Sequence, residues 1–302
     1  MSDAPETFES LRPLLFAIAY RMLASVSDAE DVLQEAYLRY RRAVDGGVEI
    51  ASLKAYLSTI VTRLALDHAK SAQQRREEYV GVWLPTPLLG DGGADDPAAR
   101  AELQDSLSMA FLLVLERLNP VERAVFLLHD VFGYGHDEIA SIVEVSPANS
   151  RQIAARARRR VQAERPRFES SPEERDRLAQ RFFAAVTEGD VDGLVQVLAD
   201  DVVTYGDGGG KAPQIWEPVE GNEAIARMLA GFRRVAVRRA YSIRYAEVNG
   251  DAGMLGFDET GALIAAMSFE ISDDRVHAIR SVVNPDKLVH IARTILPSLP
   301  PA

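Results

Sequence analysis

The chain has 302 residues, of which 47% are hydrophobic and 26% charged, with a formal net charge of −11 and no cysteine. A chain of this length and composition folds into two or three domains with cores of their own, and the absence of cysteine excludes disulfides, thiolate metal sites and a thiol nucleophile. His68, His129, His136, His277 and His290 have no metal-ligand spacing, no run is apolar enough to span a membrane, and MSDAPETFES is not a signal peptide, so no metal, cofactor or membrane contact and a cytoplasmic location are expected.

Residues 8–78 read as helical. Phe8, Leu11, Leu15, Ile18 and Met22 recur at helical spacing, and Ser27 with Glu30 has the form of a capping box for a second helix. That helix, SDAEDVLQEAYLRYRRAV, runs from acidic to basic, the order the helix dipole favours. Asp45, Gly46 and Gly47 break it. Leu53–Ala69 resumes with Tyr56, Leu57, Ile60, Leu64 and His68 on one side, while Arg63, Lys70, Arg75 and Arg76 lie along or beyond the other. Next, VGVWLPTPLLGDGGADDP, residues 80–97, is too rich in Pro, Gly and Asp for a continuous element and reads as a linker. Trp83, Leu84, Leu88 and Leu89 are too apolar for a free tether, so part of it is expected to dock on a folded surface.

Residues 101–168 form a second helical unit. Leu107, Phe111, Val114, Leu115 and Leu118 make one stripe, and Asn119, Pro120 and Glu122 supply a cap, a first-position proline and a reciprocal acid for the next helix. After a break at Gly133 and Gly135, HDEIASIV leads through Glu144 and Val145 into SPANSRQIAARARRRVQAERPR. There Ser146 caps, Pro147 opens the helix, and Ile153, Ala157 and Val161 face inward. Arg151, Arg156, Arg158, Arg159 and Arg160, with Arg165 and Arg167 beyond, concentrate positive charge in an acidic chain and point to a polyanion partner. Two short helices joined by a tight turn form a helix-turn-helix. Glu144 stands where that turn usually has glycine, so either it accepts a left-handed conformation or the turn differs.

Three segments carry a family resemblance: SDAEDVLQEAYLR at 27–39, ASLKAYLSTIVTRLALDHAKSAQQRREEYVG at 51–81, and LERLNPVERAVFLLHDVFGYGHDEIASIVEVSPANSRQIAARARRRV at 115–161. In this order and spacing they resemble the two domains of an extracytoplasmic-function (ECF) RNA polymerase sigma factor of the sigma-70 family. YVGVWLPTP at 79–87 resembles the WLPEP linker motif of the subgroup with a C-terminal extension, with Thr86 in place of the glutamate. The resemblance implies that core RNA polymerase and promoter DNA are partners. Asp28, Asp31, Gln34 and Glu35 would meet the polymerase. Ser52, Lys54, Tyr56, Arg63, Arg75 and Arg76 would hold the melted minus-ten element, a loop before an aromatic-bearing helix being able to replace the stacking of an extruded base. At the minus-thirty-five element Asn149, Arg151 and Gln152 would meet base edges, Pro147 and Ser150 would belong to the DNA-binding set beside them, and Arg156, Arg159 and Arg160 would grip phosphates.

Residues 171–302 differ in kind. Ser171, Pro172 and Glu174 announce a helix bearing Leu178, Phe182, Ala185 and Val186. A turn at Glu188–Asp190 and a helix over 191–199 follow, then strands over 201–205, 239–248, 252–258, 262–271 and 275–283, with turns at Asn249–Gly250, 258–261 and 272–274. Helices followed by an antiparallel meander make an α+β domain. It resembles the SnoaL-like, NTF2-like cone, and DGGGK at 207–211 and NPDKL at 284–288 match the same sigma subgroup. The expected architecture is therefore multidomain: all-α region 2 over 1–79, a linker over 80–100, an all-α helix-turn-helix region 4 over 101–168, and a SnoaL/NTF2-like α+β cone over 171–302.

DGGGK is no phosphate loop, because Tyr205 and Ala212 occupy the positions where such a loop needs glycine and Ser or Thr. The expectation is instead that Trp83, Leu84, Pro85 and Pro87 of the linker, Asp207, Gly208, Gly209, Gly210 and Lys211 of the loop, and Asn284, Pro285, Asp286 and Lys287 of the turn make regulatory contacts between domains. Tyr205, Asp207, Asp258 and His277 would be the acids and bases of a pocket if the cone were an enzyme, which is not expected. Two other readings stay open: a ligand-sensing helix-turn-helix regulator with an unidentified small molecule in its pocket domain, and a cyclase-like enzyme on a DNA-binding carrier.

Overall fold

In the computed structural model the described residues are 6–90, 106–164, 172–215 and 217–295, with the side chains of 72–75, 77, 172 and 173 left aside. Arg165, Arg167, Ser171 and the linker beyond residue 90 lie outside them. They divide into two units, one of residues 6–78, 106–107 and 111–164, the other of 79–90, 108–110 and the C-terminal part from 172.

The first unit is all helical. Helix α1, Phe8–Leu23, buries the predicted stripe of Phe8, Leu11, Leu15, Ile18 and Met22. Helix α2, Val26–Asp45, starts earlier than the Ser27 capping box implies: Ser25 is the cap and accepts from the Asp28 N–H, because Val26 is already packed inward as the first helical residue. Helix α3, Leu53–Glu77, is capped by Ser52 and runs past the expected end at Ala69. Helix α4 is Met109–Glu116. Helix α5, Pro120–Phe126, has the Asn119/Glu122 capping box with proline first, and continues into a π-helical turn over Leu127–Val131, where the Phe132 N–H reaches the Leu127 carbonyl at 3.0 Å.

Helices α6, His136–Val143, and α7, Pro147–Glu164, form the helix-turn-helix. Ser146 caps α7 by accepting from the Asn149 N–H at 3.2 Å. Glu144 does adopt the left-handed conformation, at φ 60° and ψ 47°, and its N–H closes α6 on the Ala140 carbonyl. Ile153, Ala154, Ala157 and Val161 pack inward from α7.

The second unit opens with α8, Pro172–Glu188, and α9, Val191–Val197, the latter capped by Asp190. Strand β1 then covers Leu198–Asp207, starting inside the stretch expected to be helical, since Leu198 is already paired with Val276. Two elements absent from the sequence reading follow: a two-residue strand β2, Val219–Glu220, and helix α10, Asn222–Arg238. The meander is β3 Ser242–Val248, β4 Asp251–Phe257, β5 Leu263–Ser272 and β6 Arg275–Val282, closed by a further unpredicted helix, α11, Pro285–Ile295.

The sheet order is β2-β1-β6-β5-β4-β3, antiparallel except that β1 lies parallel to β6. The β3–β4 turn takes positive φ at Asn249 and Gly250, as a two-residue hairpin with right-handed twist requires. Phe182 and Phe269 meet edge to face at 4.7 Å in a core shared with Leu194, Ile225 and Ile279.

Candidate nucleic-acid interface and linker clamp

On α2, Asp31 and Gln34 are exposed and Asp28 and Glu35 half-buried, so the four acidic and amide groups are presented along one helix. Glu35 accepts from Arg39 at 2.8 Å, and this bond holds its carboxyl below the usual carboxylate range. On α7, Asn149, Arg151 and Gln152 are exposed at the first turns and Pro147 is half-buried beside them. Ser150 is not available to a base. It is fully buried, and its hydroxyl lies 3.1 Å from His136 Nδ1, so it ties α7 to α6. Helical spacing explains the difference, since Ser150 precedes Ile153, Ala154 and Ala157 on the inward face.

Two of the expected phosphate grips already hold a carboxylate. Arg156 and Arg160 each lie 2.8 Å from Glu122, whose side chain is only 3% exposed and also caps the Asn119 N–H. Arg158 pairs with Asp130, whereas Arg159 is exposed and, among the described residues, bonds the Ala155 carbonyl of its own helix. Among the eight residues assigned to the minus-thirty-five contact, Asn149, Arg151, Gln152, Arg156, Arg159 and Arg160 are exposed, and of these Arg156 and Arg160 are engaged by Glu122.

The minus-ten set is split in the same way. Ser52 is spent as the cap of α3, Lys54 is exposed and half over the Tyr134 ring at 5.8 Å, and Tyr56 is half-buried. Arg63 does not face outward free: its Nε donates to the Ile142 carbonyl and its Nη2 to the Ser141 carbonyl, both at 3.0 Å, with Glu144 at 3.3 Å. The orphan carbonyls at the end of α6 and the carboxylate of the left-handed turn thus form one receptor for a guanidinium. Arg76 donates to the Leu23 carbonyl at 2.5 Å and pairs with Glu116. Arg75 lies on α3, its side chain outside those described.

Residues that no motif announced complete this latch between α1, α3 and the second helical module. Arg123, 4% exposed, donates to the carbonyls of Met22 at 2.6 Å and Leu115 at 2.9 Å and pairs with Glu116 at 2.7 Å. Tyr134 donates to the buried Ser58 hydroxyl at 2.7 Å, and Arg21 donates to Ser106 at 2.9 Å. Burial lowers both the Arg21 and Arg123 pKa to about 10, which leaves them charged at neutral pH. A signal was present for Arg123, which follows Glu122 in the capped turn of α5 and so faces the core beside Ala124 and Val125.

In the second unit WLPTP, DGGGK and NPDKL meet. Asp207 is fully buried. One carboxylate oxygen accepts from the Tyr79 hydroxyl at 2.6 Å, the other from the Leu84 N–H at 2.9 Å and Lys287 Nζ at 2.7 Å. Lys287 also donates to the Leu84 carbonyl at 2.5 Å and sits 4.5 Å from the centroid of the Trp83 ring and 5.0 Å from that of Tyr79. Asn284 donates to the Tyr79 hydroxyl at 2.8 Å, and burial followed by the Asp207 hydrogen bond pushes the phenol pKa far up.

Leu84, Pro85, Thr86 and Pro87 are buried in this clamp. Leu88 exchanges two hydrogen bonds with Asn249, through its N–H to the side chain and its carbonyl to the backbone N–H, and Leu89 bridges Val248. Lys211 and Asp286 form an exposed ion pair across the two motifs, and Pro285 opens α11.

The glycines have distinct reasons. Gly209 and Gly210 take φ of 57° and 70°, and a Cβ on Gly209 would overlap the Asn284 amide and the Tyr79 hydroxyl, while one on Gly210 would press on Val80 at 3.4 Å. A Cβ on Gly208 would overlap the Ala212 carbonyl. Gly209→Ala is accordingly expected to destabilise this unit by about 2 kcal/mol or more, read as a lowered urea midpoint, because strain and overlap add.

The four acid–base candidates do not converge. Asp207 is committed to the linker; Asp258 caps its own turn through Thr260 and Ala262, which lowers its pKa; His277 lies 3.9 Å from Asp201; and the Tyr205 ring faces Arg280. None of them lines the cavity between α10 and the sheet. Among the described residues no cluster of three or more His, Asp or Glu could hold a metal, and no helix is long and apolar enough to cross a membrane.

Comparison with known families assigns residues 7–76 to sigma-70 region 2, 108–161 to sigma-70 region 4 and 179–289 to a SnoaL-like domain. Over 288 residues the chain is 37% identical to the ECF RNA polymerase sigma factor SigJ of Mycobacterium tuberculosis, spanning 93% of this chain and 91% of that protein. The crystal structure of that organism's SigJ is similar at a TM-score of 0.72 and 34% identity, covering 93% of this chain and 97% of the other. A probable ECF sigma factor, SigI, of the same species is 37% identical over 193 residues, 62% of this chain and 64% of that one.

Proposed function

The chain belongs to the ECF RNA polymerase sigma factors of the sigma-70 family, with a C-terminal SnoaL-like domain, and on that premise we propose how its parts divide the work of directing polymerase to promoters. Region 2, residues 1–79, binds core polymerase through Asp28, Asp31, Gln34 and Glu35 and holds the minus-ten element with Lys54, Tyr56, Arg63, Arg75 and Arg76. Region 4, residues 101–168, reads the minus-thirty-five element with Asn149, Arg151 and Gln152. The linker over 80–100 and the domain over 171–302 regulate access to these readers and carry out no catalysis.

The hold of Asp207 and Lys287 on the linker supports the role of the C-terminal domain, and a separate observation within the helical unit bears on the readers themselves. Arg63 and Arg76 are held by carbonyls and carboxylates of their own unit, so promoter binding requires their release. The packed arrangement is a resting form, and DNA phosphates and bases compete for groups that the latch occupies. Arg156 and Arg160 reach phosphates in competition with Glu122, while base discrimination falls to the exposed Asn149, Arg151 and Gln152.

Arg151→Ala is expected to cost about 1 to 3 kcal/mol at one promoter position in binding by the reconstituted holoenzyme, whereas Arg159→Ala weakens all sequences alike and flattens the salt dependence. Unchanged affinity and sequence preference in Arg151→Ala would move the reading face elsewhere. For the regulatory half, the chain ended after residue 170 is compared with the full chain in promoter-dependent transcription. An equal output at equal polymerase affinity removes the regulatory role of the C-terminal domain.

A further inference from the structure

A cavity of about 550 Å³ opens between α10 and one face of the sheet, a size suited to a small organic molecule. Its walls are apolar, with Leu229 and Phe232 from the helix and Ile243, Met254, Phe257 and Met267 from the strands. Phe232 is about half exposed, so the wall extends to solvent as an apolar lip. Among the described residues no carboxylate lines the cavity. Among the described lining residues the single cation is Arg233, which already donates through Nε to the Thr187 carbonyl at 2.6 Å. An ionised ligand would lose its water there with no free counter-charge to replace it, whereas an uncharged apolar one gains by burial.

The polar part of the lining has a particular position. Gln214 Nε2 reaches the Ser281 carbonyl and hydroxyl at 3.4 and 3.3 Å, the long limit of a hydrogen bond, while Oε1 accepts from the Ile215 N–H at 2.9 Å, so the NH2 end is the weakly held one and can exchange partners. Its stem lies against the backbone of β1: a Cβ on Gly206 would overlap it, and one on Gly208 would stand 3.2 Å from the Gln214 Cβ. Gly206 pairs with Ser281 in register and Asp207 with Val282. Side chains alternate along a strand, so β1 turns Gly206 towards Gln214 and the cavity and Asp207 towards Tyr79, Leu84 and Lys287. One strand separates the cavity from the linker clamp, and adjacent residues of it serve the two.

We propose that the cavity is a sensor site for an uncharged, largely apolar small molecule bearing a hydrogen-bond acceptor, and that Gln214 transmits its occupancy through β1 to the Asp207 linker clamp. The ligand's acceptor takes the Gln214 amide from Ser281, the stem moves off Gly206, and the strand carrying Asp207 relaxes towards the space that opens. The clamp loosens as a result. This deepens the regulatory reading of the linker and rests on it only for the second readout below.

The test uses the full chain with Nile red as reporter, decan-1-ol as uncharged competitor and decanoate as its charged counterpart. Saturable Nile red binding is expected, with decan-1-ol displacing it at concentrations about tenfold below decanoate and with affinity falling about tenfold or more on filling the cavity by Ala236→Trp. Ala265→Phe serves the same purpose from the sheet side, and whichever variant keeps the parent thermal transition is read. Because the chain has two tryptophans, Trp216→Phe leaves Trp83 as the only one, and decan-1-ol is expected to raise its quenching by iodide. Gln214→Ala removes the donor to the ligand, so decan-1-ol binding is expected to weaken by about threefold to tenfold, and at saturating decan-1-ol the quenching response is lost.

Absent or unsaturable Nile red binding, binding indifferent to the filling variants, or decanoate binding as well as decan-1-ol overturns the site. A Trp83 response that is missing, or that survives Gln214→Ala, overturns the coupling. A clamp without regulatory importance is a separate failure, read in transcription by the chain ended after residue 170.

Discussion

Glu116→Gln is expected to separate the two helical modules and to strengthen promoter engagement. Glu116 is the shared counter-charge of Arg76 and Arg123, and Arg123 is buried among the carbonyls of Met22 and Leu115. Removing one partner of a buried pair costs about 3 to 5 kcal/mol while the other stays buried. Separation returns both guanidiniums to water, so the packed form loses about 1 to 3 kcal/mol relative to the separated one, a shift of roughly fivefold to 150-fold. The chain has no cysteine, so Asp45→Cys and Gln162→Cys, both at exposed positions, admit a pair of dyes. Energy transfer should fall in the Glu116→Gln background and promoter complexes should form at lower protein concentration. Unchanged transfer would show that the latch does not hold the modules together.

Lys287→Met is expected to be the most damaging single change in the second unit. It leaves the fully buried Asp207 carboxylate with only the Tyr79 hydroxyl and the Leu84 N–H, and removes the cation held against Trp83 and Tyr79. The expected loss is about 3 to 5 kcal/mol in urea denaturation, with faster proteolysis of the linker over 79–90. Pairing it with Asp207→Asn should recover part of that loss, because no uncompensated charge then remains. A double variant no better than Lys287→Met would mean that packing of the lysine stem, rather than charge, holds the linker.

Much of this was legible residue by residue. The helix-turn-helix, the Asn119 and Ser146 caps, the hairpin at Asn249–Gly250 and the meander follow from local chemistry that tertiary packing did not override. Helix α11 carried the same kind of signal as α5, an asparagine cap followed by proline, since Asn284 accepts from the Asp286 N–H and Asn119 from the Glu122 N–H; it is passed over when the segment is read only as the motif NPDKL. Helix α10 was concealed because its buried face is largely Ile225, Ala226, Leu229 and Ala230, among Gly231 and several arginines.

The clamp was legible as three motifs but not as one site. Its assembly depends on the parallel pairing of β1 with β6, which sets Asp207 beside Val282 and so next to Asn284. The Arg63 part of the latch left no pattern, because Arg63 is received by backbone carbonyls, which every residue possesses.

The left-handed Glu144 makes the rigidity of the reading head conditional. Such a conformation costs a side-chain-bearing residue about 1 to 2 kcal/mol, and here the same residue recovers something only through Arg63, which lies on α3. When the modules part, that recovery disappears while the strain remains, so the joint between α6 and α7 becomes softer at the moment DNA is engaged. A helix-turn-helix built this way tolerates more variation in the angle of its second helix when open than when closed, and Glu144→Gly would remove the difference. The expected effect of Glu144→Gly is therefore on tolerance for promoter geometry rather than on affinity for any one base, read as transcription from promoters of varied spacing.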